Sequence, residues 1–119
     1  MKKLKNNKNP KRGEVWYVKF PLEEDENKTL PRPVIVLEDH DEVVGVLSIK
    51  VTKHKPRDKW DYELFYWKEA KLRMKSTARI AKALYLNLDM FDRKFGDLHE
   101  EDLKNVDNLF NEYLLDKKI

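Results

Sequence analysis

Cysteine and long apolar runs are both missing from this chain of 119 residues. The absence of cysteine excludes disulfide bonds and thiolate metal sites and is typical of a cytoplasmic protein. No apolar stretch approaches the ~20 residues that cross a membrane. The basic N-terminus MKKLKNNKNPKR has no apolar segment behind it, so we expect no secretory signal. The three histidines lie far apart in sequence without helical pairing, so we expect no metal site.

The charged residues form blocks, although the formal net charge of +3 is too small to indicate a partner. Residues 2–12 hold six Lys or Arg and no acid, and residues 53–59 hold four against one acid. Residues 21–42 reverse the balance with eight acids against two bases, and residues 97–119 hold seven acids against three bases. Such blocks can give a folded molecule one positive face, and a solvated surface explains any single block equally well.

Short apolar runs predict several β-strands joined by brief connections. Alternation in EVWYVKF is typical of a strand, and the β-branched run PVIVLE is typical of a buried one. Gly45 indicates a bulge or bend in the third strand. The predicted strands cover 14–20, 33–38, 43–52, 60–67 and 76–88, the last as one strand or two. Strands of this number and length favour a small antiparallel barrel, which removes exposed sheet edges by closing on itself.

The last part of the chain changes to helical periodicity. Apolar residues recur at the spacing of one helix face, at Leu103, Val106, Phe110, Tyr113 and Leu114. Acids lie in the first turn and lysines at the end, as the helix dipole favours. The sequence therefore predicts one mainly β (α+β) domain over residues 13–119, with a C-terminal helix at 99–116 laid on the barrel. Residues 1–12 form a basic tail with the composition of a disordered segment.

The stretch TLPRPVIVLED places Arg32 between two prolines at the entry to an apolar strand. A guanidinium stays charged at any working pH, so it needs a partner of opposite charge there. One interpretation is an ion pair with an acid of the preceding loop, which offers Glu23, Glu24, Asp25 and Glu26. The other is an arginine held for an anionic ligand, and the residues alone leave both open.

The motifs of the chain follow one another in a particular order. KRGEVWYVKFP is followed by a polar loop, by RPVIVL, by a strand that ends in VT, by Ser76 at the opening of a later strand, and by FGDLHEEDLKNVDNLF. This order resembles the MazF/PemK family of endoribonuclease toxins. Members commonly begin with Arg-Gly-Asp/Glu, continue to Arg-Pro-Val, and end with a Gly-x-Leu step into a helix with a Val-Asp-like pair. Here that ending is Gly96, Leu98, Val106 and Asp107, and the resemblance covers roughly residues 11–115.

The resemblance implies an SH3-like barrel of the MazF/PemK/CcdB type that is usually a homodimer. It also implies a type II toxin that cuts single-stranded RNA at specific sequences in the cytoplasm, without metal or other cofactor, and that an antitoxin peptide neutralises. In the family reaction the ribose 2′-hydroxyl attacks the neighbouring phosphate, which leaves a 2′,3′-cyclic phosphate and a 5′-hydroxyl. Such a reaction needs a proton acceptor, a proton donor and positive charge beside the phosphorane.

The resemblance also implies three catalytic positions. Arg32 matches the family's active-site arginine, whose planar fork can bind two phosphate oxygens at once. Thr52 matches the family hydroxyl at the end of the third strand, whereas Ser48 lies closer to the usual separation from the arginine, so both stay candidates. Arg79 matches a strand that carries Arg-x-Asp in the plasmid-borne branch of the family. Here Ala81 stands in place of the acid, which leaves the general base open.

The basic loop KHKPRDK directly follows Thr52 and supplies further candidates. A histidine titrates near neutrality, so His54 is a candidate for the missing base, and a loop histidine that only attracts phosphate is the alternative. Lys53, Lys55 and Arg57 offer positive charge to bind single-stranded RNA.

Two departures from the family pattern leave other functions open. The first loop reads EEDENKTL where many members carry a Gly-Ser-Glu-Gln-like stretch, and the acid at Ala81 is missing. Both favour, as an alternative, a non-catalytic barrel of the same fold that binds RNA or a protein through an eroded active site. A third hypothesis, action on a topoisomerase, rests on shared architecture alone.

Overall fold

The computed structural model describes residues 8–21, 24–25 and 27–118 of the chain. Within these residues, six β-strands are followed by one α-helix. They are β1 (Glu14–Pro21), β2 (Thr29–Val36), β3 (Val46–Thr52), β4 (Asp61–Glu63), β5 (Thr77–Leu86), β6 (Phe91–Asp97) and α1 (Glu100–Lys117), with a short 3₁₀ turn, Leu88–Met90, between β5 and β6. No helix in this part of the chain is long and apolar enough to cross a membrane.

The six strands form one antiparallel sheet in the order β4-β5-β3-β2-β1-β6. The prediction of a mainly β domain with a C-terminal helix is confirmed. Among the described residues, however, the end strands β4 and β6 do not pair with each other, so the sheet is open where a closed barrel was expected. The open edge β6 exposes Asp92, Arg93 and Lys94, as edge strands often do. These charges interrupt the apolar alternation, so the prediction contains no strand there.

Side chains alternate between the two faces of the sheet, and each face buries an apolar cluster. Val34 and Ile35, adjacent in β2, belong to different clusters. The Ile35 cluster includes Val106 of α1 and lies under the helix. The Val34 cluster includes Val18 and Phe91 and lies on the face away from the helix. The position of a residue along its strand therefore tells which face it lies on.

α1 lies within one residue of the predicted helix at both ends. His99 caps its N-terminus, since its ring Nδ1 accepts the Glu101 backbone N–H at 3.0 Å. Phe110 packs against the core under the helix as predicted. Leu114 was expected on the same face but is 43% exposed, because the last helical turn extends past the core.

β4 covers only three residues of the strand predicted at 60–67. The backbone N–H groups of Phe65 and Tyr66 donate to the carboxylate of Asp102 in α1, at 3.1 and 2.8 Å, and so leave the ladder. The Tyr62 hydroxyl donates to the same carboxylate at 2.7 Å. Asp102 is fully buried, and these three hydrogen bonds compensate for the loss of its hydration.

Arg12 lies at the end of the predicted basic tail and is anchored to the folded domain. Its backbone N–H donates to the Asp39 carboxylate at 2.7 Å, and its guanidinium donates to the Leu37 carbonyl at 3.0 Å and to Asp107. Residues 1–7 of that tail lie outside the described residues.

Candidate active site

A groove of about 490 Å³ opens at one end of the sheet. Its described lining consists of Phe20, Glu24, Leu30, Arg32, Lys50, Val51, Thr52, His54, Arg57 and Arg79. Four of these residues are Lys or Arg and one is an acid, so the described lining is positively charged. Cations grouped in a concave site favour a ligand with several negative charges.

The register of neighbouring strands brings the basic residues onto one face. Lys50 of β3 lies opposite both Val34 of β2 and Arg79 of β5, and Arg79 in turn lies opposite Asp61 of β4. Directly opposed residues share a face of the sheet, and Val34 belongs to the cluster on the face away from α1. The groove therefore opens on the face opposite the helix.

The pairing between β2 and β3 ends at the groove. Their backbone pairing ends at Val34 and Lys50, and the next pair on this face in the same register would be Arg32 with Thr52. Both of those residues line the groove. The prolines on either side of Arg32 lack the N–H that a ladder needs, which limits pairing along this side of β2. The groove therefore lies where the pairing of the two strands ends.

The Arg32 side chain is exposed and forms no hydrogen bond or salt bridge with residues 8–21, 24–25 or 27–118. Of the four acids considered as partners, Glu24 lines the groove without pairing with it, and Asp25 accepts a nearby backbone N–H at 3.0 Å. Glu23 and Glu26 lie outside the described residues. With respect to the described residues, all five guanidinium N–H donors remain available for a ligand.

The two candidate hydroxyls lie in different environments. Thr52 is half-buried in the groove wall, and its Oγ1 accepts the His54 backbone N–H at 3.3 Å. Ser48 is fully buried, and its hydroxyl donates to the carbonyl of Val46 in its own strand at 3.1 Å. Ser48 is absent from the described lining, so Thr52 is the hydroxyl that can meet a ligand there.

The basic loop between β3 and β4 contributes His54 and Arg57 to the groove. Lys53 and Lys55 are exposed but do not belong to its described lining. The Thr77 hydroxyl of β5 fixes the start of the loop by donating to the His54 carbonyl at 2.7 Å. No group of three or more His, Cys, Asp or Glu suited to a metal ion occurs in the part of the chain that the structure describes.

Arg79 is a groove cation that has an acidic partner among the described residues. Its Nε donates to the Asp61 Oδ1 at 3.2 Å. The side chain of Asp61 is 2% exposed and that of Arg79 is 19% exposed. The acid pairing that the sequence suggested for Arg32 thus occurs at Arg79.

A model of the family described as PemK-like, MazF-like toxin of type II toxin-antitoxin system matches residues 11–114. The match runs from the segment of Arg12 to the last turns of α1. The chain belongs to this family. The resemblance inferred from the order of the motifs is thereby confirmed, and membership implies an antitoxin as a partner. No curated protein matches the chain at a significant level.

Two residues beside the groove of this PemK-like toxin are missing from the sequence-based prediction. Lys50 lies two positions before Thr52, so the alternation of a strand was a signal that could have placed it on the same face. Asp61 stands between two aromatic residues in a predicted strand and has no local mark of function. Only the pairing of β4 with β5 brings it to Arg79.

Proposed function

We propose that this chain is the toxin of a type II toxin–antitoxin pair and acts in the cytoplasm as a sequence-specific endoribonuclease on single-stranded RNA. The observation that carries the proposal is that Arg32, Thr52 and Arg79, from three different strands, line one positively charged groove. The groove lies where the pairing of β2 and β3 ends, and its charge suits a phosphodiester backbone.

The proposed reaction is transfer of the phosphate to its own ribose. The 2′-oxygen attacks phosphorus, the bond from phosphorus to the 5′-oxygen breaks, and a 2′,3′-cyclic phosphate and a 5′-hydroxyl result. Arg32 binds two non-bridging oxygens through its fork and stabilises the charge of the phosphorane. It also donates a hydrogen bond to the departing 5′-oxygen, which takes its proton from water.

Two further groups act on the same phosphate in this proposal. The Thr52 hydroxyl donates to a non-bridging oxygen and holds the phosphate in line for attack. His54 accepts the proton of the 2′-hydroxyl. Since Arg32, Arg79 and their basic neighbours supply positive charge that a metal ion supplies in other nucleases, we propose that cleavage needs no metal. Lys53, Lys55 and Arg57 bind flanking phosphates.

The test is incubation of the purified chain with a mixed single-stranded RNA in EDTA. We expect discrete fragments whose 5′-hydroxyl ends accept a phosphate from polynucleotide kinase without prior phosphatase treatment. Arg32→Ala should lower the rate by ~10²–10³-fold, because it removes a main stabiliser of the transition state. The matched control is Arg73→Ala, since Arg73 is exposed on the loop between β4 and β5 and lies outside the groove lining. Equal rates for both variants would overturn the proposed role of Arg32.

The proton acceptor is tested by the dependence of kcat/KM on pH. His54→Ala should remove the fall in rate on the acid side of the profile, because that limb reports protonation of the base. His40→Ala is the control, since His40 is exposed in the connection between β2 and β3. An unchanged profile in the His54 variant would assign the acceptor to another group.

Binding without cleavage is the second candidate function. The observation that favours it is the alanine at position 81, where the resemblance leads one to expect an acid. Affinity for single-stranded RNA with no fragments in the EDTA assay would support a non-catalytic RNA-binding protein. We also propose that the chain forms a homodimer, which light scattering on the purified chain tests. We further propose that its antitoxin is a peptide, and we expect a short acidic reading frame beside the gene.

A further inference from the structure

The carboxylate of Asp61 uses both oxygens on the basic wall of the groove. Oδ1 accepts from the Arg79 Nε at 3.2 Å, and Oδ2 accepts the Arg57 backbone N–H at 2.9 Å. The Asp61 side chain is 2% exposed. A carboxylate withdrawn from water is costly unless partners compensate for its hydration, and the two partners here both line the groove. We propose that Asp61 is a positioning residue that holds Arg79 in the orientation in which it binds the RNA phosphate.

The hydrogen bond from the Arg79 Nε to Asp61 fixes the orientation of the guanidinium. A guanidinium is planar and rigid, so a bond at Nε fixes the direction of the opposite edge of the group. That edge carries the two Nη groups, which have no hydrogen-bond partner among the described residues. Asp61 therefore engages one of the five donors and leaves four for a ligand.

The charge of Asp61 also acts on the cations around it. Lys50 and Arg79 lie opposite each other on β3 and β5, and Arg57 faces the same groove. Like charges so close together repel, and a buried carboxylate beside them lowers the cost of assembling them before RNA arrives. Through the Arg57 backbone, Asp61 also ties the end of the basic loop to β4, while Thr77 fixes its beginning.

The same geometry separates Asp61 from the role of general base. Both oxygens already accept hydrogen bonds, and the side chain is almost completely withdrawn from solvent. The inference rests on the proposed nuclease function but assigns Asp61 to act through Arg79, with no contact to the substrate.

The test compares Asp61→Asn with Glu63→Gln, an exposed acid of the same strand. Asparagine keeps one acceptor oxygen, so it can satisfy one partner but not both. We expect Asp61→Asn to lower kcat by ~10–10²-fold with little change in KM, as misplacement of a group at the reacting phosphate does. Glu63→Gln should leave both unchanged. If Asp61→Asn does not fold, Asp61→Glu keeps the charge and moves the guanidinium, and the same loss in kcat is expected.

A double-mutant cycle distinguishes positioning from other roles. In an Arg79→Ala background, most of the loss caused by Asp61→Asn should disappear, because the group that it orients is gone. An equal loss in both backgrounds would overturn the proposal, as would wild-type kcat in Asp61→Asn or, where that variant does not fold, in Asp61→Glu.

A readout that does not depend on cleavage keeps this inference separate from the nuclease proposal. The ¹⁵N signal of the Arg79 Nε–H should be sharp in the wild-type chain and should shift or broaden in Asp61→Asn, with Glu63→Gln as control. If the wild-type chain does not cleave RNA but these changes occur, the nuclease proposal fails and Asp61 still orients Arg79. If Asp61→Asn leaves the signal unchanged, the positioning role fails.

Discussion

The guanidinium of Arg12 donates to both carboxylate oxygens of Asp107, which lies 95 positions later in the chain. The same guanidinium donates to the Leu37 carbonyl at 3.0 Å. The hydrogen bond to Asp107 raises the pKa of Arg12. The basic segment before β1 is thus fastened to α1, on the side of the molecule away from the groove. These two residues belong to the first and last motifs of the family resemblance, and the contact gives both a structural role.

We expect Arg12→Ala to destabilise the fold without altering the groove. The pair is partly exposed, so its contribution is discounted to about 1 kcal/mol, or ~4 °C in melting temperature. Asp107→Asn should cost a similar amount, and the double variant should cost less than the sum of the two. Thermal unfolding measures this, with Arg73→Ala as control. Additive losses in the double variant would contradict a direct contribution of the pair.

The regular strands and the helix could be predicted because their signals are local. β1 alternates in sequence as it does in the sheet, and α1 carries its apolar face, its capping residue and its charge distribution within one continuous segment. The predicted strand at 60–67 is too long because Asp102 of α1 withdraws two backbone N–H groups from the ladder. These hydrogen bonds join residues more than thirty-five positions apart, so no pattern within residues 60–67 could predict them.

The residues of the candidate site also fall into two groups, those that the sequence could predict and those that only strand pairing brings together. Arg32 and Thr52 lie in short motifs that are continuous in the sequence, so both could be found by comparing the sequence with a family pattern. Asp61 acquires its neighbour only when β4 pairs with β5, and Lys50 joins the groove only when β3 lies between β2 and β5. Whether Arg32 pairs with an acid could not be decided from the sequence, because the preceding loop offers four nearby acids and the sequence does not show whether any of them reaches the guanidinium.

The Tyr62 hydroxyl should lose its proton only at high pH. Its partial burial, together with its hydrogen bond to the Asp102 carboxylate, raises the pKa of Tyr62 from its ordinary value of 10.0 to about 12. Because the folded pKa lies above the unfolded one, the stabilisation that this hydroxyl provides is complete below pH 10 and is lost as the pH rises toward 12. Tyrosinate absorbance followed against pH should contain a late component from Tyr62, and Tyr62→Phe should remove that component. A late component that persists in Tyr62→Phe would contradict this assignment.

Thr52 and Ser48 should differ sharply in their effect on cleavage. Thr52→Ala removes a hydroxyl from the groove wall and should lower kcat by ~10²-fold, whereas Thr52→Ser keeps the hydroxyl and most of the rate. Ser48→Ala is the matched control, because that hydroxyl is buried and bonded to its own strand. Single-turnover cleavage of a labelled RNA measures the three variants. A larger loss in Ser48→Ala than in Thr52→Ala would reverse the choice between the two hydroxyls.

Lys53 and Lys55 should affect RNA binding more than the chemical step, because they are exposed beside the groove and outside its described lining. Each phosphate contact to a single strand contributes ~0.7 to the slope of log K against log salt concentration, so Lys53→Ala/Lys55→Ala should lower that slope by ~1.4. At saturating RNA, kcat should stay close to wild type. The control is Lys104→Ala/Lys118→Ala, in α1 and at its C-terminal cap. The helix lies across the sheet from the groove, so this variant should leave the slope unchanged. Fluorescence anisotropy over a range of salt concentrations supplies both slopes. If the two double variants change the slope equally, RNA follows the overall charge of the molecule and the basic loop is not its binding site.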